Sequence, residues 1–206
     1  MLIHQWDAST GDDEWRAFVA THGFGDLVAG GRDRDLPIVV PTQFVLSGDD
    51  VLLHLVRSNP IWSAIEENPN VLLCVAGDWA FIPSSWKVIG DEDPAFGIPT
   101  TYYAAVQIAG RASVLREPED IAAVLRVQLG ALQPAEVVVD PSEHGARLKA
   151  ITAMRVGITE VRAKFKYGGN VDRAHREAVA EQLAERAGPG DAAAIEHLTR
   201  RLDAGS

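Results

Sequence analysis

The sequence predicts a mainly β protein of the α+β class, in which six or seven antiparallel strands close into a barrel and helices pack outside it. Apolar runs of strand length follow one another with only turn residues between them, and strands joined by tight turns pair antiparallel. Helical spacing appears in the first residues, in short segments further along, and at the C-terminus. With 206 residues, 47% of them hydrophobic, the chain is long enough to bury a core without disulfide or metal support.

The first half of the chain carries one long helix and most of the strands. The helix is predicted over residues 10–22, because acidic side chains open it and Trp15, Phe18 and Val19 recur at helical spacing. Asn59-Pro60 begins a second, short helix, since proline is well tolerated in a first turn. The strands are predicted over residues 25–30, 36–46, 51–56 and 70–77, the last continued by 79–82.

The second half alternates strands with helices. A charged loop over residues 87–99 leads into a long strand. The predicted elements are a strand at 101–115, a helix starting at Glu117-Pro118, a helical segment at 143–153, a strand at 155–165 and helices at 171–187 and 190–203. We therefore expect a barrel domain over residues 1–166 and a helical C-terminal extension over residues 167–206.

The formal net charge of −10 disfavours nonspecific binding to nucleic acid, which depends on basic side chains at phosphates. The charge is unevenly distributed, however. Residues 147–176 contain eight basic and two acidic side chains, a local +6, which leaves −16 for the remainder. This basic segment indicates either a small anionic ligand or ordinary solvated faces. A direct contact with DNA remains an alternative, limited to this segment.

Several common catalytic and metal-binding motifs are absent from the sequence. It contains no GxSxG, no GxxxxGK[ST] and no HExxH motif, and its six histidines do not fall at metal-ligand spacing. We therefore expect no metal site. A single cysteine excludes a disulfide within the chain, and no run of 18 apolar residues exists, so we expect a cytoplasmic protein that does not enter a membrane.

Four short stretches concentrate Arg, Lys, Ser, Thr, Tyr and Asn at predicted strand ends. They are LHLVRSNP (53–60), FIPSSWK (81–87), IPTTYYAAV (98–106) and KFKYGGN (164–170). A phosphate-bearing aromatic cofactor needs this mixture, because cations and hydroxyls bind phosphate and aromatic rings pack on a planar ring. Each stretch also has an ordinary structural interpretation: Trp86 could cover a core, and Arg57 could pair with Glu66 or Glu67.

In this order, the four stretches resemble the PaiB-like family of FMN-binding negative transcriptional regulators. The family pattern is G-H-x-A-R-x-N, I-S-P-S-W-Y, V-P-T-W-N-Y-x-A-V-x-x-x-G and G-K-x-K-L-S-Q-N. Pro83-Ser84 stands here where the family has Ser-Pro. The resemblance spans about residues 1–187 and implies the split β-barrel fold shared with pyridoxamine-phosphate oxidases, with the barrel dimerising around a flavin.

The resemblance implies an FMN-binding protein, either a flavin-dependent oxidoreductase or a metabolite-linked transcriptional regulator, with itself as a homodimeric partner. A non-enzymatic regulator is one alternative. Another is a split barrel that handles haem or deazaflavin, for which His54, His144 and His175 are the candidate haem ligands. No side chain is nominated as a catalyst, because the flavin would carry the chemistry. The implied cofactor-binding residues are Arg57, Asn59, Ser84, Ser85, Trp86, Thr100, Tyr103, Lys164, Lys166 and Asn170.

Overall fold

A computed structural model describes residues 1–88 and 93–203 of the chain. Residues 89–92, within the loop predicted at 87–99, and residues 204–206, at the end of the predicted extension, lie outside the described residues. The strands are β1 (Phe24–Ala29), β2 (Ile38–Gln43), β3 (Val45–Ser47), β4 (Asp50–Val56), β5 (Asn70–Ile82), β6 (Thr100–Leu115) and β7 (Ile151–Lys166).

The seven strands form one sheet in the order β2-β1-β5-β6-β7-β4-β3. Neighbours pair antiparallel, as in Leu27 opposite Val40 and Leu53 opposite Met154. The α-helices are α1 (Asp12–His22), α2 (Ile61–Glu67), α3 (Pro118–Leu132), α4 (Arg173–Arg186) and α5 (Asp191–Asp203). The predicted fold class, a mainly β antiparallel split barrel of six to seven strands with peripheral helices and a helical C-terminus, is confirmed.

Two predicted element boundaries are wrong. The strand predicted at 36–46 is divided at the buried Phe44, because β2 pairs with β1 and β3 pairs with β4. The helical segment predicted at 143–153 ends at Ala150 as a 3₁₀ helix, and Ile151 already pairs with Val56 as part of β7. In both places hydrogen bonding to a distant strand overrides the local pattern.

The chain divides into two compact units. Unit 1 consists of Met1–Glu14, Ala76–Val106 and Ala163–Ser206, and unit 2 consists of Trp15–Val75 and Gln107–Arg162. Strands β5, β6 and β7 contribute residues to both units. The expected division into a barrel over 1–166 and an extension over 167–206 stays a prediction.

Unit 2 contains a core between α3 and the strands β4 and β7. Helix α3 begins at Pro118 and presents its apolar stripe to this core, as its helical spacing predicts. The packed residues are Leu52, Ile121, Ala122, Val124, Leu148 and Ala153, with Leu115, Leu125 and Ile151 at the margin. Among the described residues no helix is long and apolar enough to cross a membrane.

Unit 1 buries aromatic side chains against the C-terminal helices. Helix α4 is capped by Asp172, whose Oδ1 accepts a hydrogen bond of 2.8 Å from the backbone N–H of His175. The turn into α5 is fixed by Asp191, whose carboxylate accepts hydrogen bonds from Arg186 and from the backbone N–H of Gly188. The buried residues of this unit include Tyr102, Phe165, Tyr167, Leu183 and Leu198.

We expect Leu53→Ala to lower the free energy of unfolding by about 2–5 kcal/mol, because Leu53 is fully buried in β4 and its truncation leaves a cavity. Urea unfolding followed by circular dichroism measures the loss. Leu36→Ala is the matched control: Leu36 is 78% exposed, so its change should stay within about 0.5 kcal/mol. Equal effects of the two substitutions would contradict the buried position of Leu53.

Candidate functional site

Unit 1 brings together three of the four stretches that the sequence singles out. FIPSSWK follows the end of β5, IPTTYY leads into β6, and KFKYGGN ends β7. The unit therefore contains eight of the ten proposed cofactor-binding residues, all except Arg57 and Asn59.

Strand alternation divides the two tyrosines of β6 between opposite faces. Tyr102 is buried, and its ring meets the ring of Tyr167 edge to face at 6.0 Å. Tyr103 is half-buried, and the Nζ atoms of Lys164 and Lys166 lie 5.6 and 6.0 Å from the centre of its ring. One face of this strand end is thus aromatic, and the other combines an aromatic ring with two cations.

The buried face rests on α5. The ring of His197 stacks on that of Tyr167 at 4.5 Å, and His197 Nε2 lies 2.8 Å from Asp78 Oδ2. The Tyr167 hydroxyl donates a 2.8 Å hydrogen bond to the Asp78 carbonyl. Burial raises the pKa of Tyr102 to about 12, which keeps its hydroxyl neutral.

The two lysines of β7 have different surroundings. Lys164 is 8% exposed, donates to the Leu2 carbonyl at 3.1 Å and lies 3.8 Å from Asp7 Oδ2. Lys166 is half-buried and donates a 2.6 Å hydrogen bond to Thr100 Oγ1. Lys164 therefore holds the N-terminal segment, whereas Lys166 is the more accessible cation of the pair.

Lys87 and His175 add a second pair of basic groups to unit 1. Lys87 Nζ lies 3.2 Å from His175 Nε2. Burial and the nearby charge of Lys166 lower the pKa of Lys87. Burial and the charge of Lys87 lower the pKa of His175, while Asp172 acts in the opposite direction. His175 is therefore neutral at neutral pH, and its Nε2 accepts a hydrogen bond from Lys87.

The serines and Trp86 lie in a 3₁₀ turn, Ser84–Trp86, and Gly97 packs closely against the backbone of this turn. A Cβ built on Gly97 would stand 1.8 Å from the Ser84 carbonyl oxygen, so only glycine permits this close approach. The Arg186 guanidinium lies 4.8 Å from the ring centre of Trp86 and donates to the Phe81 carbonyl. One face of the Trp86 ring is therefore occupied by Arg186 of α4.

Arg57 and Asn59 lie in unit 2. The backbone N–H of Arg57 donates to the Ala150 carbonyl, and its side chain is exposed. Asn59 Oδ1 accepts from the Ile61 backbone N–H at 3.0 Å, which orders the start of α2. The acids considered as partners of Arg57 are engaged elsewhere: Glu66 binds Arg116, and Glu67 binds Arg34.

Sequence reasoning missed the contribution of the C-terminal helices. Arg201 of α5, with a side chain only 10% exposed, donates to the carbonyls of Trp6 and Ala8 and lies 3.4 Å from Glu14. Together with Lys164 it holds the N-terminal segment in unit 1. The sequence offered one signal, the position of Lys164 in the basic segment 147–176, but no spacing that identified the partners of Lys164 or Arg201.

The remaining candidates are Asn170, proposed to bind the cofactor, and the histidines considered as haem ligands. Asn170 is exposed in the turn after β7. Of the histidines considered for haem, His54 has Nδ1 2.7 Å from Gln128 Oε1, and His144 lies half-buried in the 3₁₀ helix Pro141–Ala150. Within residues 1–88 and 93–203, no group of three or more His, Cys, Asp or Glu side chains could hold a metal ion.

We expect Lys87→Met to raise the pKa of His175, because the substitution removes a neighbouring positive charge. A histidine NMR titration measures this directly. The same shift makes stability depend on pH. In the folded protein the pKa of His175 lies below its unfolded value of about 6.5, so the free energy of unfolding falls as the pH drops from the unfolded pKa towards the folded one. The variant should lose less stability there. An unchanged His175 pKa would contradict the contact.

A family model described as "Putative FMN-binding domain" matches residues 1–160 of the chain. The chain is also 26% identical over 197 residues to the protease synthase and sporulation protein PAI 2 of Bacillus subtilis (strain 168), and the match covers 92% of each chain.

Solved structures of similar fold include two flavin-related proteins. The flavocytochrome Anf3 from Azotobacter vinelandii superposes with a TM-score of 0.64 at 18% identity, covering 86% of this chain and 78% of that one. The FAD and heme binding protein from Mycobacterium smegmatis superposes with a TM-score of 0.61 at 17% identity, covering 85% and 80%. At these identities the likeness shows the fold.

Proposed function

Because the chain belongs to the family described as "Putative FMN-binding domain", we propose that it is an FMN-binding split-barrel protein. The observation that carries this proposal is the polar face at the start of β6 in unit 1. There Tyr103 lies beneath two lysines, and Thr100 accepts a hydrogen bond from Lys166. An aromatic ring beside cations and a hydroxyl fits a flavin that carries a phosphate.

The residues present fit the parts of FMN. Lys166, Thr100, Ser84 and Ser85 would bind the phosphate, and Tyr103 and Trp86 would pack on the ring or the ribityl chain. Lys164 would act mainly through charge, since it already holds the N-terminal segment. Arg57, Asn59 and Asn170 are proposed as ligands on the family pattern alone.

Bound FMN would supply electron or hydride transfer, and this chain would bind and orient it. Two roles are consistent with that chemistry: a flavin-dependent oxidoreductase, or a regulator that responds to a metabolite through the flavin. The similarity to a sporulation protein supports the second role. The acidic net charge makes direct DNA binding the weaker form of regulation.

FMN binding is tested by titrating purified protein with FMN and following the quenching of flavin fluorescence. We expect saturable binding, with a yellow colour and a flavin spectrum in the isolated complex. A protein that quenches neither FMN nor riboflavin would refute the proposed function. The same spectrum tests the haem alternative, because haem has an absorption band that flavin lacks. The haem alternative is supported only by two proteins of similar fold, a flavocytochrome and a protein that binds FAD and heme.

We expect Lys166→Met to weaken FMN binding by roughly tenfold or more, the equivalent of one charge-assisted hydrogen bond. Riboflavin, which lacks the phosphate, should bind both proteins equally. Lys149→Met is the matched control, because Lys149 is an exposed lysine of unit 2. Equal losses of FMN and riboflavin affinity would instead place Lys166 at the ring.

We also propose that the protein acts as a homodimer, as the split-barrel resemblance implies. Exposed apolar side chains in unit 1, such as Trp79 at 60% and Phe81 at 49%, offer surface that a second copy would bury. Light scattering after size-exclusion chromatography should give twice the 22.2 kDa chain mass. A monomer at micromolar concentration, with and without FMN, would contradict this proposal.

A further inference from the structure

The hydrogen bond between Lys87 and His175 joins two basic groups that the family pattern does not explain. Lys87 follows the 3₁₀ turn Ser84–Trp86, and His175 lies in the first turn of α4. Their nitrogen atoms are 3.2 Å apart, and both side chains are partly buried. Because neutral His175 accepts a hydrogen bond from Lys87 without cancelling its charge, the positive charge of Lys87 is one that an anion would neutralise.

Among the described residues, Lys166 acts electrostatically on Lys87, and Asp172 acts on His175. Lys87 faces His175, and the positive charge of Lys166 contributes to the lowered pKa of Lys87. On its own helix, His175 faces Asp172, whose Oδ1 already accepts the His175 backbone N–H. In the part of the chain that the structure describes, neither Lys87 nor Lys166 forms an ion pair with a carboxylate, whereas Lys164 is beside Asp7.

Donors are available for an oxyanion. Lys87 and Lys166 each have three N–H donors, of which one is used in the contacts with His175 and Thr100. An imidazole that gains a proton becomes a donor at both nitrogens. The three side chains come from two segments of unit 1, Lys87 from Ala76–Val106 and the other two from Ala163–Ser206, so the contact between Lys87 and His175 is a property of the fold.

We propose that Lys87, Lys166 and His175 form a pH-sensitive oxyanion site for a tetrahedral dianion of the phosphate or sulfate type. The site exists whether or not a flavin binds; only the identity of its natural occupant rests on the proposed function. That occupant is either the phosphate of FMN itself or the phosphate of a separate ligand. The chemistry of recognition is the same in both cases.

Acidification strengthens binding at this site. At neutral pH His175 is uncharged and accepts a hydrogen bond from Lys87. When the pH falls, protonated His175 no longer accepts that bond and becomes a third cation beside the two lysines, so an anion is attracted more strongly. Equivalently, a bound dianion raises the pH at which His175 gains its proton.

Sulfate is the probe that isolates this effect, because it stays a dianion while phosphate monoesters gain a proton with a pKa of about 6. Sulfate binding to the flavin-free protein is measured by calorimetry at about pH 5.5 and about pH 8. We expect roughly tenfold tighter binding at the lower pH, the worth of one charge-assisted hydrogen bond. His175→Gln should remove this pH dependence, and Lys87→Met should weaken binding at both pH values.

Lys149→Met, an exposed lysine substitution in unit 2, is the control and should bind sulfate like the unsubstituted protein. Histidine NMR of the unsubstituted protein provides a test that needs no variant to fold. Sulfate should move one histidine signal and raise the pKa of that residue. The proposal is overturned if no histidine responds, or if Lys87→Met and His175→Gln, folded by circular dichroism, bind sulfate unchanged.

Two further measurements identify the occupant. If saturating FMN prevents sulfate binding and Lys87→Met weakens FMN but not riboflavin, the site holds the flavin phosphate. If the FMN-loaded protein still binds sulfate, the site holds the phosphate of another ligand. A protein that binds sulfate as described but neither flavin would refute the proposed function and leave the oxyanion site supported.

Discussion

The alternation of side chains at the neighbouring ends of β6 and β7 is the constraint on which the rest of unit 1 depends. Successive residues of a strand point to opposite faces, so Tyr102 and Tyr103 are separated by the sheet itself. Tyr102, Phe165 and Tyr167 are fully buried, and Lys164 and Lys166 accompany Tyr103. A one-residue change of register would exchange the buried aromatic face with the cationic one.

The C-terminal helices complete both faces. Helix α5 contributes His197, which stacks on Tyr167 and binds Asp78, so it covers the aromatic face. Helix α4 contributes His175 beside Lys87 and Arg186 over Trp86. Both helices belong to the same compact unit as the strand ends that carry the candidate site. Their role is therefore to shape and charge that site as well as to bury apolar surface.

The basic segment 147–176 is distributed by the fold between two environments. Arg147, Lys149, Arg155 and Arg162 are exposed residues of unit 2, whereas the lysines at 164 and 166 are largely or partly buried in unit 1. A cation at the exposed positions is screened by water and interacts weakly. At the partly buried positions water screens the charge less, so a bound anion would interact with the cation more strongly. Within the basic segment, Lys164 and Lys166 are therefore the lysines whose charge an anion would feel most strongly.

The sequence by itself determined the succession of strands and helices along the chain, the antiparallel pairing of strands, and the stretches that carry Thr100, Tyr103 and Lys166. These features depend on local periodicity, turn residues and short motifs, which act over a few residues. The tertiary structure alone decided that Lys87 meets His175, 88 residues further along, and that β2 and β3 part at Phe44. It also decided that Lys164 holds the N-terminal segment. Such contacts arise when distant segments pack together, and no spacing along the chain encodes them.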